Sequence, residues 1–345
     1  MPRHARKRDK RMAVVGAGAV GSNVAALLRD EGHDITIIDP WPAHVSAIND
    51  GGLRISLQER ELKVPVPALN INEVCSTVRP FDLVFLACKS YDSIWMAELI
   101  KPYMSDDGVL VSVQNSINEE WLLPIVGYSR VVGCVLSISC ELWNPGHATR
   151  NTAFDRITFT VGEPNGATTN RIREVASILA SAGGSRTTEN LWGARWSKLV
   201  LNTMGMPMAA ITGLMTRQVV LDDECMQACI RLGRESLAVA SALGYTPEPI
   251  FEINPRHFQS DVDTLLEKLM RTLASSIGDA RGTIWYDIAK GRRTETDLLC
   301  GLVVRHGEGV GVETPANASM VATMRRMEIG EIRPDRTNAR YILGQ

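Results

Sequence analysis

The sequence predicts an α/β protein in two parts, a mostly parallel sheet with helices on both faces followed by an all-helical C-terminal domain. Three observations carry that expectation. Apolar, β-rich runs alternate with helical patterns through the first half, they vanish after about residue 188, and three closely spaced glycines sit at the first strand-to-helix junction. Alternation of strand and helix is what a parallel sheet covered on both faces requires. The domains are therefore expected at 12–188 and 189–330, with 1–11 as a basic, disordered tail.

Residues 13–15, 35–39, 83–87, 109–113 and 131–135 read as strands, and 91–103 and 118–126 as helices between them. Residues 157–161 add a last strand, closed by Gly162 and Pro164, and 171–182 form an amphipathic helix ended by Gly183-Gly184. Long helical patterns follow at 194–210, 222–243, 260–276, 294–306 and 316–327. Thr294 with Asp297 has the spacing of a capping box. Thr314 and Pro315 supply a cap and a first-turn proline for the last of these helices.

The first junction reads Ala13-Val-Val-Gly16-Ala17-Gly18-Ala19-Val20-Gly21, a G-x-G-x-x-G pattern. Gly16 makes the tight turn, Gly18 lets backbone N–H groups approach a pyrophosphate, and Gly21 lets helix and strand pack closely. The positive end of the helix that starts here faces the phosphates. Asp39 ends the second strand, 18 residues past Gly21. That is close to the ~20-residue offset of a carboxylate that binds an adenosine ribose. The pattern implies a Rossmann domain that binds a dinucleotide through residues 16–21 and Asp39, with the active site expected in the cleft between the two domains.

Net charge is −2, but the first eleven residues carry +5 and the remainder −7. A mildly acidic body argues against nucleic acid as the main partner. The basic arm followed by apolar residues superficially imitates a secretory signal, but the glycines, Ser22 and Asn23 break it. No stretch reaches the roughly 18 apolar residues of a membrane helix. Seven cysteines without a C-x-x-C spacing read as thiols of a reducing compartment, so a cytoplasmic protein is expected. Six histidines show no clustered spacing, so no metal is expected. A homodimer is compatible with the helical half and not required by it.

Four further sites bear chemistry. Lys89, in Cys88-Lys89-Ser90, follows a strand end, where ligands of parallel sheets sit; it reads equally as a solvated loop lysine. Asn115, in Gln114-Asn115-Ser116, offers donor and acceptor at the next strand end, or is an ordinary turn residue. Lys198 and Asn202 lie four apart on one helix face in apolar surroundings. A lysine desolvated there is a usable proton donor near neutral pH; otherwise it is a surface residue. Glu295 sits at a helix start, either as part of a site or as a helix-dipole partner.

Together these motifs resemble the ketopantoate reductase (2-dehydropantoate 2-reductase) family over residues 12–330. The resemblance rests on Gly16-Ala-Gly-Ala-Val-Gly21, Cys88-Lys89-Ser90, Gln114-Asn115, Trp196-Ser197-Lys198-Leu199 with Asn202, and the closing run from Tyr286-Asp287-Ile288 through Gly291-Arg-Arg-Thr-Glu295-Thr-Asp297 to Gly301. It implies reduction of a 2-oxo acid by NAD(P)H, with Lys198 as catalytic acid and Asn202 binding substrate. It also implies that Lys89 contacts cofactor, that Asn115 lies where cofactor and substrate meet, and that Glu295 completes the site. Whether Glu295 holds the lysine, a ribose or a substrate hydroxyl stays open.

The chain departs from the family at the substrate. Met206 stands where a second substrate asparagine is usual, Thr283 replaces a serine, and Ser116 replaces the glycine of Asn-Gly. These changes make a bulkier or less polar 2-oxo or 3-oxo acid the competitor to ketopantoate. Asp39 stands near where many relatives have arginine. A carboxylate accepts ribose hydroxyls and repels a 2′-phosphate, so NAD(H) is expected to be favoured over NADP(H). Two other readings compete: a β-hydroxyacid dehydrogenase, and a cofactor-sensing protein without turnover, which would be expected to lose Lys198 or Glu295.

Overall fold

The computed structural model describes residues 10–254, 261–277 and 281–345. They form two compact units. The first ends at Glu189 and the second starts at Asn190, except that Asn115–Ile117 groups with the second. Residues 1–9, and Ser260 at the expected start of one helix, lie outside the described residues.

In the first unit the strands run in chain order as β1 (Arg11–Val15), β2 (Asp34–Asp39), β3 (Leu53–Ser56), β4 (Glu61–Val64), β5 (Ala68–Asn70) and β6 (Phe81–Leu86). They continue as β7 (Met104–Val113), β8 (Val131–Leu136), β9 (Cys140–Asn144), β10 (His147–Arg150), β11 (Ile157–Gly162) and β12 (Gly184–Thr188). Its helices are α1 (Ala19–Asp30), α2 (Pro42–Gly51), α3 (Ser93–Ile100), α4 (Glu119–Val126) and α5 (Asn170–Leu179). Eight strands make one sheet in the order β12-β11-β8-β7-β6-β1-β2-β5. All its pairings are parallel except β8 with β11. Strand order reverses at β1, which has β2 on one side and β6 on the other; that is the switch point where such sheets bind ligands.

A second sheet, β4-β3-β10-β9, was not expected from the sequence. Its strands are only four or five residues long and each carries a charged residue, so they lack a long apolar signal. Its existence explains α1. That helix is buried continuously from Gly21 to Leu28, because it packs on both sheets. A helix buried all round needs small and apolar residues on every face, and Gly-Ser-Asn-Val-Ala-Ala-Leu-Leu supplies them.

Several boundaries also differ from the expectation. Arg11 is not tail: it opens β1, its N–H donates to Asp82, and Lys10 pairs with Glu174 at 2.7 Å. The strand at 157–162 is not the last. Gly184 continues into β12 beside it, where a Cβ would strike the Arg156 carbonyl at 2.5 Å.

The second unit is helical, with α6 (Leu191–Thr212), α7 (Thr216–Val219), α8 (Asp223–Ala242), α9 (Val262–Ile277), α10 (Thr283–Ala289), α11 (Cys300–Val310), α12 (Pro315–Glu328) and α13 (Ala339–Leu343). Helices α6 and α8 pack closely because Gly233 admits the Met204 side chain; a Cβ there would lie 2.5 Å from the Met204 sulfur. The expected helix at 294–306 is a correction. Thr296–Leu298 is a single 3-10 turn, and α11 starts only at Cys300, after Leu299 breaks the backbone at φ −113°, ψ −85°. The Thr294 hydroxyl bonds to the Thr296 N–H and hydroxyl, closing a local turn instead of capping an α-helix. Thr314 likewise does not cap α12 with its side chain. The Glu235 carboxylate of α8 takes that place, accepting from the Ala316 and Asn317 N–H groups at 2.8 and 2.9 Å.

Candidate functional site

The glycine turn leaves β1 at the sheet's switch point, and each of its glycines has a separate reason. Gly16 adopts φ +87°, and a Cβ there would meet the Cys88 backbone at 2.6 Å. Gly21 lies against the turn itself, with the Gly16 carbonyl 2.1 Å from where its Cβ would be. Gly18 differs from both. It is exposed, it precedes the first turn of α1, and a Cβ there would meet nothing within 4 Å. No side chain caps the helix at this point. An open space in front of uncapped helix N–H groups fits a pyrophosphate. Ala17 is buried, while Ala19 and Val20, in the first helical turn, are partly exposed.

Asp39 is brought to this turn. Its Oδ2 accepts from the Ala17 N–H at 2.6 Å and its Oδ1 from the Trp41 N–H at 2.8 Å. The carboxylate is therefore oriented by protein donors, and its charge stands beside the glycine turn. Lys89 is half-buried and precedes a 3-10 turn, Ser90–Asp92, directly after β6. Behind it runs a polar network that the sequence did not reveal. Gln114 Nε2 donates to the Cys88 carbonyl at 2.8 Å and to Ser93 Oγ at 2.7 Å, and Ser93 Oγ reaches Asn118 Oδ1 at 3.2 Å. These bonds tie the ends of β6 and β7 together. A glutamine ending an apolar strand was the available signal.

In the second unit, Lys198, Asn202 and Met206 fall on one stripe of α6 at four-residue spacing. Lys198 is partly buried, and desolvation alone lowers its ammonium pKa from 10.5 to about 8. Asn202 is buried and its Nδ2 donates to Asn115 Oδ1 at 3.2 Å. Met206 meets Thr283, whose Oγ1 donates to the Met206 sulfur at 3.3 Å. Glu295 is buried at the head of the 3-10 turn Thr296–Leu298.

Ser116 supplies the join between two of these pieces. It takes φ +70°, a left-handed conformation that glycine adopts far more easily. Its hydroxyl donates to the Leu298 carbonyl, three residues past Glu295. That bond offsets part of the backbone strain and holds the segment carrying Asn115 against the segment carrying Glu295. Among the described residues, no group of three His, Cys, Asp or Glu side chains is placed to hold a metal ion, and no helix is long and apolar enough to cross a membrane.

A parallel sheet with a G-x-G-x-x-G turn at its switch point and an acidic second-strand end, joined in one chain to helices that carry a desolvated lysine, defines a nicotinamide-dependent oxidoreductase. The family model of ketopantoate reductase PanE/ApbA matches residues 12–165, and that of its C-terminal domain matches 190–328. The chain belongs to the ketopantoate reductase family. It is 28% identical over 326 residues to a 2-dehydropantoate 2-reductase of Archaeoglobus fulgidus, covering 94% of this chain and 99% of that one. It is similar to the crystal structure of a PanE/ApbA family ketopantoate reductase from Ralstonia eutropha JMP134, at 30% identity and TM-score 0.78, covering 92% of this chain and 98% of that one. D-mandelate dehydrogenase with NADH and anilino(oxo)acetate shares the fold, at TM-score 0.82 and 19% identity over 92% of this chain and 98% of that one.

Proposed function

We propose that the protein reduces a 2-oxo acid to the 2-hydroxy acid with NAD(P)H, as a 2-dehydropantoate 2-reductase does, with Lys198 as the proton donor. The observation that carries this reading is the stripe of Lys198, Asn202 and Met206 on α6, with Asn202 bonded to Asn115. The reduced nicotinamide, when bound, supplies the hydride. Residues 16–21 hold the pyrophosphate, Asp39 accepts the adenosine ribose hydroxyls, and Lys89 contacts the dinucleotide. Asp39 also repels a 2′-phosphate, so NADH is the preferred reductant.

On the substrate side, Asn115 and Asn202 orient the oxo acid. Lys198 Nζ donates to the carbonyl oxygen, stabilises the negative charge that builds there and then transfers its proton. Its lowered pKa suits that task, since an ammonium near pKa 8 is mostly protonated at neutral pH yet gives up its proton far more readily than an ordinary lysine. Glu295 completes the site as a carboxylate toward cofactor, lysine or substrate. Thr283 and Met206 satisfy each other, so this part of the site offers a thioether and a methyl group where a polar contact is usual. That pairing favours a substrate less polar than ketopantoate.

The test is oxidation of NADH against a panel of 2-oxo acids, with ketopantoate beside bulkier and less polar members. Turnover of at least one 2-oxo acid is expected, with the less polar ones preferred. No oxidation by any member would overturn the assignment.

A further inference from the structure

The first unit contains a buried chain of hydrogen bonds that the proposed reaction does not use. It starts at Gly146, in the turn between β9 and β10, and ends at Ala17 in the glycine turn. The Gly146 N–H donates to His44 Nδ1 at 2.9 Å. His44 Nε2 lies 3.2 Å from Ser22 Oγ, and Ser22 Oγ donates to the Ala17 carbonyl at 2.8 Å. Both side chains are fully buried.

The tautomer of the ring is forced. A backbone N–H only donates, so Nδ1 is an acceptor and the ring's proton sits on Nε2. That proton is shared between Ser22 Oγ and the Ala17 carbonyl, which the ring also meets directly and which takes the Ser22 hydrogen as well. Burial lowers the His44 pKa from 6.5 to about 4, in keeping with a neutral ring. The ring is also stacked on Trp41, centroids 5.5 Å apart and 12° from parallel. Trp41 in turn gives its N–H to Asp39, which accepts from Ala17 N–H. Ala17 is thus gripped at both ends of its backbone, by Asp39 at the nitrogen and by Ser22 at the oxygen.

This grip has a directional consequence. The Ala17–Gly18 peptide is a rigid trans plane, so a fixed Ala17 carbonyl aims the Gly18 N–H the opposite way. Gly18 is the exposed residue with open space around it. We propose that His44, together with Ser22, is a positioning residue that pre-aims the Gly18 N–H at the pyrophosphate of the dinucleotide. The inference rests on the dinucleotide reading of residues 16–21. Pre-aiming matters because a donor fixed before binding costs no ordering when the ligand arrives.

The test is direct binding of NADH, ADP-ribose and adenosine to the full chain by calorimetry, on wild type and on Ser22→Ala, His44→Leu, His44→Gln and the Ser22→Ala/His44→Leu pair. Ser22→Ala and His44→Leu should each raise the Kd for NADH and ADP-ribose about tenfold, the scale of one lost hydrogen bond. The double variant, which removes both donors from the Ala17 carbonyl, should lose more than either single one, and adenosine, which lacks the pyrophosphate, should bind with unchanged affinity. His44→Gln, which keeps an amide donor within reach of Ser22, should recover most of the loss. At saturating NADH, kcat and the KM for the oxo acid should stay within about twofold. Melting temperatures of all variants show which are folded at the binding temperature. Folded His44→Leu with wild-type NADH affinity, or a double variant no worse than Ser22→Ala alone, would overturn the positioning role of His44. Failure of wild type to bind NADH at all would instead overturn the dinucleotide reading.

Discussion

Asn115 and Asn202, 87 residues apart in the chain, meet through one hydrogen bond, in which Asn202 Nδ2 donates to Asn115 Oδ1 at 3.2 Å. The bond decides which end of each amide faces the other. The bond engages the Asn115 carbonyl and the Asn202 amino group, so each amide orients the other.

The pair should therefore act as a unit. Asn115→Ala and Asn202→Ala are each expected to raise the KM for the oxo acid about tenfold. Because each variant also removes the orienting partner of the other, the double variant should lose less than the product of the two effects. A double-mutant cycle on kcat/KM checks this. Effects that multiply in full would mean the two amides act separately.

Lys198 should leave its mark on the pH profile. The proposed reaction needs the ammonium form, and desolvation lowers its pKa to about 8. Reduction should be level below pH 8 and fall tenfold per unit above it, seen in kcat/KM, which reports the free enzyme. An undisturbed lysine would keep the rate level to above pH 10. Lys198→Ala should lower kcat about 10²–10⁴-fold. Stability should move the other way. With the folded pKa below the unfolded one, the cost of the buried charge is fully present below pH 8 and is relieved as pH rises from about 8 to 10.5. Lys198→Met is accordingly expected to raise Tm at pH 7, measured by calorimetry.

The three glycines separate folding from binding. Gly21→Ala places a Cβ 2.1 Å from the Gly16 carbonyl, a backbone atom that cannot step aside cheaply. It should lower Tm by roughly 4 °C or more. Gly18→Ala places its Cβ in open space, so Tm should hardly change while dinucleotide affinity falls, because the methyl group takes the room a phosphate needs. Thermal melts with and without NADH distinguish the two. Equal loss of Tm in both variants would contradict the assignment of Gly18 to ligand approach.

Much of this was legible because it is local. The strands β1, β2, β6, β7 and β8 are apolar runs, and the glycine turn has a fixed spacing. The stripe of Lys198, Asn202 and Met206 follows from helical periodicity alone. What the sequence hid depends on distant partners. Glu235 caps α12 from another helix, so Thr314 looked sufficient. Thr294 had the spacing of an α-helical cap, but its hydroxyl closed a tighter turn. His44 looked like any histidine on a short helix, since its partners Ser22 and Gly146 are 22 and 102 residues away. The second sheet was missed because its strands are short, and only α1's unbroken burial shows that something must cover it.

In the proposed reading Asp39 sets the cofactor preference, and the structure adds a second consequence to its replacement. Its carboxylate sits beside the glycine turn, where it would repel a 2′-phosphate. Wild type should therefore favour NADH over NADPH in kcat/KM, and comparable values would sink the assignment. Asp39→Ala removes the repulsion, and the NADPH-to-NADH ratio should rise about tenfold or more. The same change also strips acceptors from the Ala17 and Trp41 N–H groups. The glycine turn should loosen, and NADH efficiency should fall by more than NADPH efficiency rises. Steady-state kinetics with both nucleotides on wild type and Asp39→Ala reads both effects at once. A ratio that shifts with no loss toward NADH would show that Asp39 acts only by repelling a 2′-phosphate, and neither binds the ribose nor holds the turn.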